Sequence, residues 1–298
     1  MSSASEVRDL LSRFNLRARK SLGQNFLIDT AALDRIVAAA ELTPDDTVLE
    51  IGPGLGALTQ RLAQAAGRVI AVELDQNLIP ALRYTLAAYS NVELVHGDIL
   101  QLDPATLVTN NQTRQLAGDS GRQVGQYRVD GYKVVANLPY YITSAALRHL
   151  LEAAVRPSVL ILTLQLEVAQ RLAAKPGNLS LLAVSVQFYG KPLLVTRIHA
   201  GSFYPVPQVD SAVVRIDVYP HPPAEVRDVD QFFVVVKAGF GQKRKQIHNA
   251  LKVGLALPAE TIAAALRQAG IDPTRRAETL ALNEWAALAN ALRDATKK

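Results

Sequence analysis

The chain has 298 residues, 49% of them hydrophobic and 20% charged, with a formal net charge of +5. That is enough apolar chain for one large α/β domain and a small companion, and the basic balance suits a polyanionic partner without requiring one. It has no cysteine, which excludes disulfides, thiolate metal sites and any cysteine nucleophile, and with them methylation of a pyrimidine ring carbon through a covalent cysteine adduct.

The N-terminal residues 1–28 are polar and basic. Arg13, Arg17, Arg19 and Lys20 lead into Gln24-Asn25-Phe26-Leu27, and this arm is expected to order only when cofactor or RNA binds. It has no signal-peptide apolar core, and no apolar run in the chain reaches the ~18–20 residues that span a bilayer, so a cytoplasmic location without membrane contact is expected. Asp29 suits the N-cap of a helix over about 30–41. Strands and helices then alternate: a strand over 47–51, a helix over 57–66, a strand over 68–72, and a helix over about 77–89 with Pro80 tolerable only in its first turn. Further strands are predicted over 92–96, 133–136 and 159–164.

Between the third and fourth strands, residues 109–128 are rich in Gln, Asn, Gly, Ser and Thr and nearly devoid of large aliphatics. Such a segment cannot bury enough surface to fold alone and reads as a mobile insertion. Its Arg114, Arg122 and Arg128 would suit RNA, although a solvated insertion is the plainer reading. Two more strands are expected within 191–219, separated by Ser202-Phe203-Tyr204-Pro205-Val206-Pro207-Gln208, where the prolines stiffen the loop. Tyr219-Pro220-His221-Pro222-Pro223 reads as a linker. Helices are predicted beyond it over 229–240, 243–253, 259–269 and 277–293. The βαβα rhythm argues a doubly wound, mostly parallel sheet in residues 1–222 and an all-helical domain in 223–298.

The chemistry is expected at strand ends, where open α/β sheets bind ligands. Glu50-Ile51-Gly52-Pro53-Gly54-Leu55-Gly56 is a glycine-rich turn after the first strand. It suits close approach of a nucleotide-like cofactor, and it also satisfies a dinucleotide fingerprint with Glu73 at ribose distance. A Walker A loop is excluded, since no Lys-Ser or Lys-Thr follows. Glu73 ends the second strand, where a carboxylate can accept from both ribose hydroxyls. Asp98 ends the third, where it can accept from an adenine amino group or simply cap the next turn. Asn137-Leu138-Pro139-Tyr140 ends the fourth. An adenine N6 amine is a poor nucleophile because its lone pair is delocalised into the ring. The Asn137 amide oxygen and the Leu138 carbonyl could hold its hydrogens, with Pro139 fixing the turn. Tyr140 could stack on the base and Phe203 cover its other face, core packing being the plain alternative for both. No metal is needed.

Taken in order, Gln24-Asn25-Phe26-Leu27, the Glu50–Gly56 turn, Glu73, Asp98, Asn137-Leu138-Pro139-Tyr140, Phe203-x-Pro205-x-Pro207-x-Val209-x-Ser211 and the basic Lys243-Arg244-Lys245 with Asn249 resemble the KsgA/RsmA family of small-subunit rRNA adenine dimethyltransferases. The resemblance covers the chain except residues 109–128. It implies a Rossmann-like S-adenosylmethionine-dependent methyltransferase sheet with a small all-helical C-terminal domain. It also implies transfer of two methyls to each of two adjacent adenosines near the 3′ end of 16S rRNA in an assembling 30S subunit. On this resemblance Asn25, Leu27, Gly52, Gly54, Glu73, Asp98 and Asn137 contact S-adenosylmethionine, and Asn137, Leu138, Pro139, Tyr140 and Phe203 form the target-base pocket. A helix over 243–253 would place Arg244 with His248, and Lys245 with Asn249, on shared faces that grip RNA phosphates. A monomer is expected. The alternatives are a 23S rRNA adenine methyltransferase of the macrolide-resistance type, a ribosome-assembly factor whose main role is RNA binding, a DNA adenine methyltransferase and a nicotinamide dehydrogenase.

Overall fold

The computed structural model describes residues 3–109 and 131–296; the insertion with Arg114, Arg122 and Arg128 lies outside them apart from Thr109. The first element departs from expectation. Ser3 accepts from Glu6 N and caps a helix, α1 (Ala4–Arg13), whose Val7, Leu10 and Leu11 are buried. Their i, i+3, i+4 spacing makes one apolar stripe, hidden in the sequence among arginines, that packs residues 4–13 against the protein. A two-residue strand, β1 (Phe26–Leu27), follows. The Asp29 side chain caps α2 (Thr30–Ala40) as predicted, accepting from Ala32 N at 3.0 Å.

The α/β alternation is then close to the predicted one. In chain order come β2 (Thr47–Ile51), α3 (Ala57–Ala65), β3 (Arg68–Glu73), α4 (Ile79–Thr85) and β4 (Val92–His96). A short helix over residues 104–109 (α5) precedes the undescribed stretch. After it come β5 (Lys133–Asn137), α6 (Thr143–Leu151), β6 (Val159–Gln165), α7 (Leu166–Leu172), α8 (Leu181–Tyr189), β7 (Gly190–Ile198), β8 (Phe203–Tyr204) and β9 (Ser211–Val218). Helix α4 is shorter than expected at both ends: a 3-10 turn over Gln76–Leu78 occupies its predicted start, and it stops at Thr85.

Seven strands form one sheet in the order β4-β3-β2-β5-β6-β9-β7. The pairs β3–β4, β2–β3, β2–β5 and β5–β6 are parallel, and β6–β9 is antiparallel. From β2 the chain builds outward through β3 to β4, then returns to place β5 on the other side of β2. The carboxyl ends of β2 and β5 therefore flank the switch point where such sheets open a crevice. A separate ribbon pairs β1 with β8, Phe26 against Tyr204.

The chain divides into two compact units, Met1–Ala169 with Leu193–Val218, and Gln170–Pro192 with Tyr219–Lys298. Residues 170–192, which the strand–helix pattern places in the first domain, belong to the helical unit. Phe188 of α8 stacks on Phe232 at 4.7 Å, on α9 (Val229–Phe240). Helices α10 (Ile247–Leu255), α11 (Ala259–Gln268) and α12 (Leu282–Thr296) complete that unit around Trp285. Helix α10 begins at Ile247, four residues later than predicted, and residues 243–245 lie in the turn before it. The shared helical faces expected for Arg244 with His248 and Lys245 with Asn249 are thus absent. Among the described residues no helix is long and apolar enough to cross a membrane.

Candidate active site

A cavity opens at the switch point, lined by Gly52 and Gly54 after β2, Glu73 at the end of β3, Asp98 after β4, Asn137 to Tyr141 after β5, and Gln24 to Leu27 of the N-terminal segment. Every cofactor-site residue named from the sequence is in this wall. Gly52, Gly54 and Gly56 all have positive φ, which keeps the loop tight and its backbone bare towards a ligand. A Cβ on Gly54 would come within 3.0 Å of the Phe26 ring, and one on Gly52 within 3.8 Å of Pro139 Cδ. The glycine turn, the N-terminal segment and the tetrapeptide thus close on one space.

Backbone amides set the carboxylates. Glu73 Oε2 accepts from Gly54 N at 3.2 Å and Oε1 from Asp75 N at 2.8 Å. Each oxygen keeps a second lone pair for a ligand hydroxyl. Burial raises the Glu73 pKa above the ordinary carboxylate range, opposed by those amides. Asp98 caps the next turn, Oδ1 accepting from Leu100 N at 2.9 Å, and the residue also lines the cavity. Glu50, which is 1% exposed, also lies in the wall. Among the described residues its Oε2 has no hydrogen-bond partner, and burial, with the charge of Glu73 added, pushes its pKa up to about 8. The wall carries Glu50, Glu73 and Asp98 but neither lysine nor arginine. A wall with carboxylates and no cation fits a cationic sulfonium cofactor.

The N-terminal segment is held down by Asp75. This carboxylate accepts from Gln24 Nε2 at 2.9 Å and from Arg19 at 3.3 Å. The strapped segment in turn fixes the tetrapeptide: Asn137 Nδ2 donates to the Asn25 carbonyl at 3.1 Å. No described residue donates to Asn137 Oδ1, so the acceptor end of the amide is left for a ligand. The Tyr140 hydroxyl bonds Ser211 Oγ at 2.7 Å, tying the end of β5 to the start of β9.

Phe203 is the exception among the predicted pocket residues. It is 1% exposed, is absent from the cavity wall, and packs in the core with Leu27, Leu33 and Ile198. The pairing of β8 with β1 turns it inward, so the plainer core reading describes its place here. Lys243, Arg244 and Lys245 are exposed in the second unit, without an ion-pair partner among the described residues. The sequence reading assigned no role to Asp75, Ser211 or Tyr141. Tyr141 had a signal, since it adjoins the tetrapeptide; Asp75 had none, because its partner Gln24 lies 51 residues away.

The model of the family described as ribosomal RNA adenine dimethylase matches residues 15–294. A relative from Pelotomaculum thermopropionicum, named ribosomal RNA small subunit methyltransferase A, is 45% identical over 99% of this chain and 98% of its own. One of the same name from Dehalococcoides mccartyi strain CBDB1 is 47% identical over 94% of this chain and 90% of its own. Among solved structures, the 23S rRNA methyltransferase ErmE superposes with a TM-score of 0.68 at 29% identity, over 90% of this chain and all of that one. A dimethyladenosine transferase from Plasmodium falciparum superposes at 0.72 over 91% of this chain and 98% of its own, and at 22% identity it shows likeness of fold. With the family model matched over nearly its whole length, this chain belongs to the ribosomal RNA adenine dimethylase family.

Proposed function

We propose that the protein transfers two methyl groups from S-adenosylmethionine to N6 of each of two adjacent adenosines near the 3′ end of 16S rRNA, acting as a monomer on an assembling 30S subunit in the cytoplasm. The names of the full-length relatives support the small subunit over the large one. The observation that carries the chemistry is the Asn137 tether. Its amide nitrogen donates to the Asn25 carbonyl, which leaves its oxygen as the acceptor for a ligand in the cavity that the residue lines.

Bound S-adenosylmethionine supplies an electrophilic methyl on a sulfonium and leaves as a neutral thioether. Glu73 suits its ribose hydroxyls, Asp98 its adenine amine, and the glycine turn with Asn25 and Leu27 the rest. Asn137 Oδ1 and the Leu138 carbonyl accept the hydrogens of the target amine and turn its lone pair toward the methyl. No side chain needs to take a proton before attack; the proton leaves the methylated amine for solvent after the methyl has moved from sulfur to nitrogen, so catalysis rests on alignment and electrostatics. The basic turn Lys243-Arg244-Lys245 supplies phosphate contacts.

The test is transfer of labelled methyl to unmethylated 30S particles, with nuclease mapping of the product. Dimethyladenosine at the adjacent pair near the 16S 3′ end is expected. Label elsewhere in 16S rRNA, label in 50S particles offered in parallel with none in 30S, or cofactor binding without transfer would overturn the reading.

A further inference from the structure

Asp75 follows Glu73 in the turn after β3 and is only 4% exposed, yet it does not line the cofactor cavity. A buried carboxylate that touches no ligand must be satisfied by the protein itself. Asp75 has four donors: Oδ1 accepts from Arg19 Nη1 at 3.3 Å, Asn77 N at 3.2 Å and Asn77 Nδ2 at 2.9 Å, and Oδ2 accepts from Gln24 Nε2 at 2.9 Å. Burial works against the ionised form, but these donors, Gln24 foremost, hold its pKa below the ordinary carboxylate value. The Asp75 backbone N–H meanwhile donates to Glu73 Oε1. One residue outside the cavity thus holds both the carboxylate wall and the N-terminal strap.

From Gln24 the link runs on to the tetrapeptide. The Gln24 amide is engaged at both ends, since its Oε1 accepts from Arg19 N at 2.8 Å. Gly23 N on the Lys20 carbonyl and Gln24 N on the Arg19 carbonyl close residues 19–24 into a tight loop. The next residue, Asn25, offers the carbonyl that takes Asn137 Nδ2 at 3.1 Å. Gly23 lies against the tetrapeptide itself, where a Cβ would meet Pro139 Cβ at 3.5 Å. Beyond Asn25 the chain is held by other means, the pairing of β1 with β8. Breaking the Asp75–Gln24 bond therefore loosens the loop and the Asn25 carbonyl while the surrounding fold stays anchored.

We propose that Asp75 is a positioning residue for methyl transfer: through Gln24 it fixes the Asn25 carbonyl and, with it, the orientation in which the Asn137 oxygen accepts from the target amine. The inference rests on the adenine-methylation reading above and adds a residue outside the cavity to it. A displacement of about 1 Å at a reacting group costs on the order of 10²-fold in rate. A loosened tether is then felt in the chemical step and not only in binding.

The experiment reverses the polarity of the bond. In Asp75→Asn the new NH2 faces a donor whichever way it is turned, either Gln24 Nε2 or Arg19 with Asn77. Adding Gln24→Glu replaces the first of these donors by an acceptor and returns the net charge to its original value. Single-turnover transfer to unmethylated 30S particles is measured at limiting and at saturating S-adenosylmethionine, with hydrogen exchange of the ligand-free protein in parallel. Asp75→Asn should slow transfer at saturating cofactor about 10- to 100-fold. It should also speed exchange across residues 19–25 and leave Thr47–Ile51 as in wild type. Asp75→Asn combined with Gln24→Glu should recover the rate to within a few-fold and restore protection of the loop. Gln24→Ala breaks the bond from the other side and should match Asp75→Asn, which keeps the test decisive if Asp75→Asn does not fold. Wild-type transfer in both single variants would overturn the inference alone. So would a loss that vanishes at saturating cofactor, which would make the strap a cofactor clasp only, or a folded double variant that recovers nothing. Absence of transfer by the wild type would overturn the underlying reading as well.

Discussion

Asn137 has two hydrogen-bonding ends, and the fold uses one of them. Because Nδ2 is committed to the Asn25 carbonyl, replacing it by a carboxylate oxygen would set two acceptors against each other, while removing the amide would delete the acceptor for the target amine. Asn137→Ala is therefore expected to lower single-turnover methyl transfer by about 10²–10³-fold, the range for losing one aligned transition-state hydrogen bond, with RNA affinity changed only a few-fold. Near-normal transfer would remove Asn137 from the chemistry. Glu50 makes a different kind of prediction. Its pKa is pushed up to about 8 in the fold against an ordinary value of 4.5, so between those values the unfolded chain releases a proton that the folded one keeps. Stability contributed at this position is then greatest below pH 4.5 and falls as pH rises toward 8, by up to about 1.4 kcal/mol per pH unit. Glu50→Gln cannot titrate, so its advantage over wild type should widen steadily between about pH 5 and pH 8 in urea denaturation followed by circular dichroism. A gap that stays flat would show that Glu50 is ionised in the fold.

The elements of the site were legible where a local rule sufficed. The strand-to-turn passages after β2 and β5 are contiguous in sequence, so alternation, glycines and the tetrapeptide reveal both the element and the chemistry at its end. What failed depended on partners far along the chain. An aromatic in a proline loop reads the same whether it faces a ligand or the core, and only the β1–β8 pairing decides that Phe203 is inside. The strap over the cavity depends on Asp75 meeting Gln24 and Arg19, which no spacing announces. The basic segment shows the same limit at a boundary: the charges were visible, but the helix starts after them at Ile247. Placement in a turn leaves the three side chains free to follow a phosphate backbone, and it makes their contributions separable. Reversing Lys243, Arg244 and Lys245 to Glu should reduce RNA affinity and lower the slope of log affinity against log salt by about 0.7–0.9 for each phosphate that is no longer neutralised. A slope that does not move would place the RNA surface elsewhere.

At the scale of the whole molecule, the two units have separate cores, and the single tryptophan of the chain is fully buried in the helical one. Its fluorescence therefore reports that unit alone. Helices α9 and α10 approach closely because small residues line the face between them. A Cβ on Gly254 would come 2.7 Å from Ala238 Cβ, and one on Gly239 would come 2.4 Å from Trp285 Cη2 and 3.1 Å from Ile247 Cδ1. Two effects oppose each other in Gly239→Ala. The helix gains about 1 kcal/mol from alanine's higher propensity, whereas the added methyl collides with an indole that has no room to move, and overpacking of this kind costs about 1–3 kcal/mol. The collision should win, because the atom met is a rigid ring in a closed core and not the end of a flexible side chain. Gly239→Ala is expected to shift the urea midpoint of the Trp285 fluorescence transition downward. S-adenosylmethionine affinity under native conditions should stay within about twofold, since every wall of the cofactor cavity belongs to the first unit. A midpoint that rises would mean that Trp285 relaxes and propensity dominates. A matching loss of cofactor affinity would mean that the first unit depends on the helical one for its own fold.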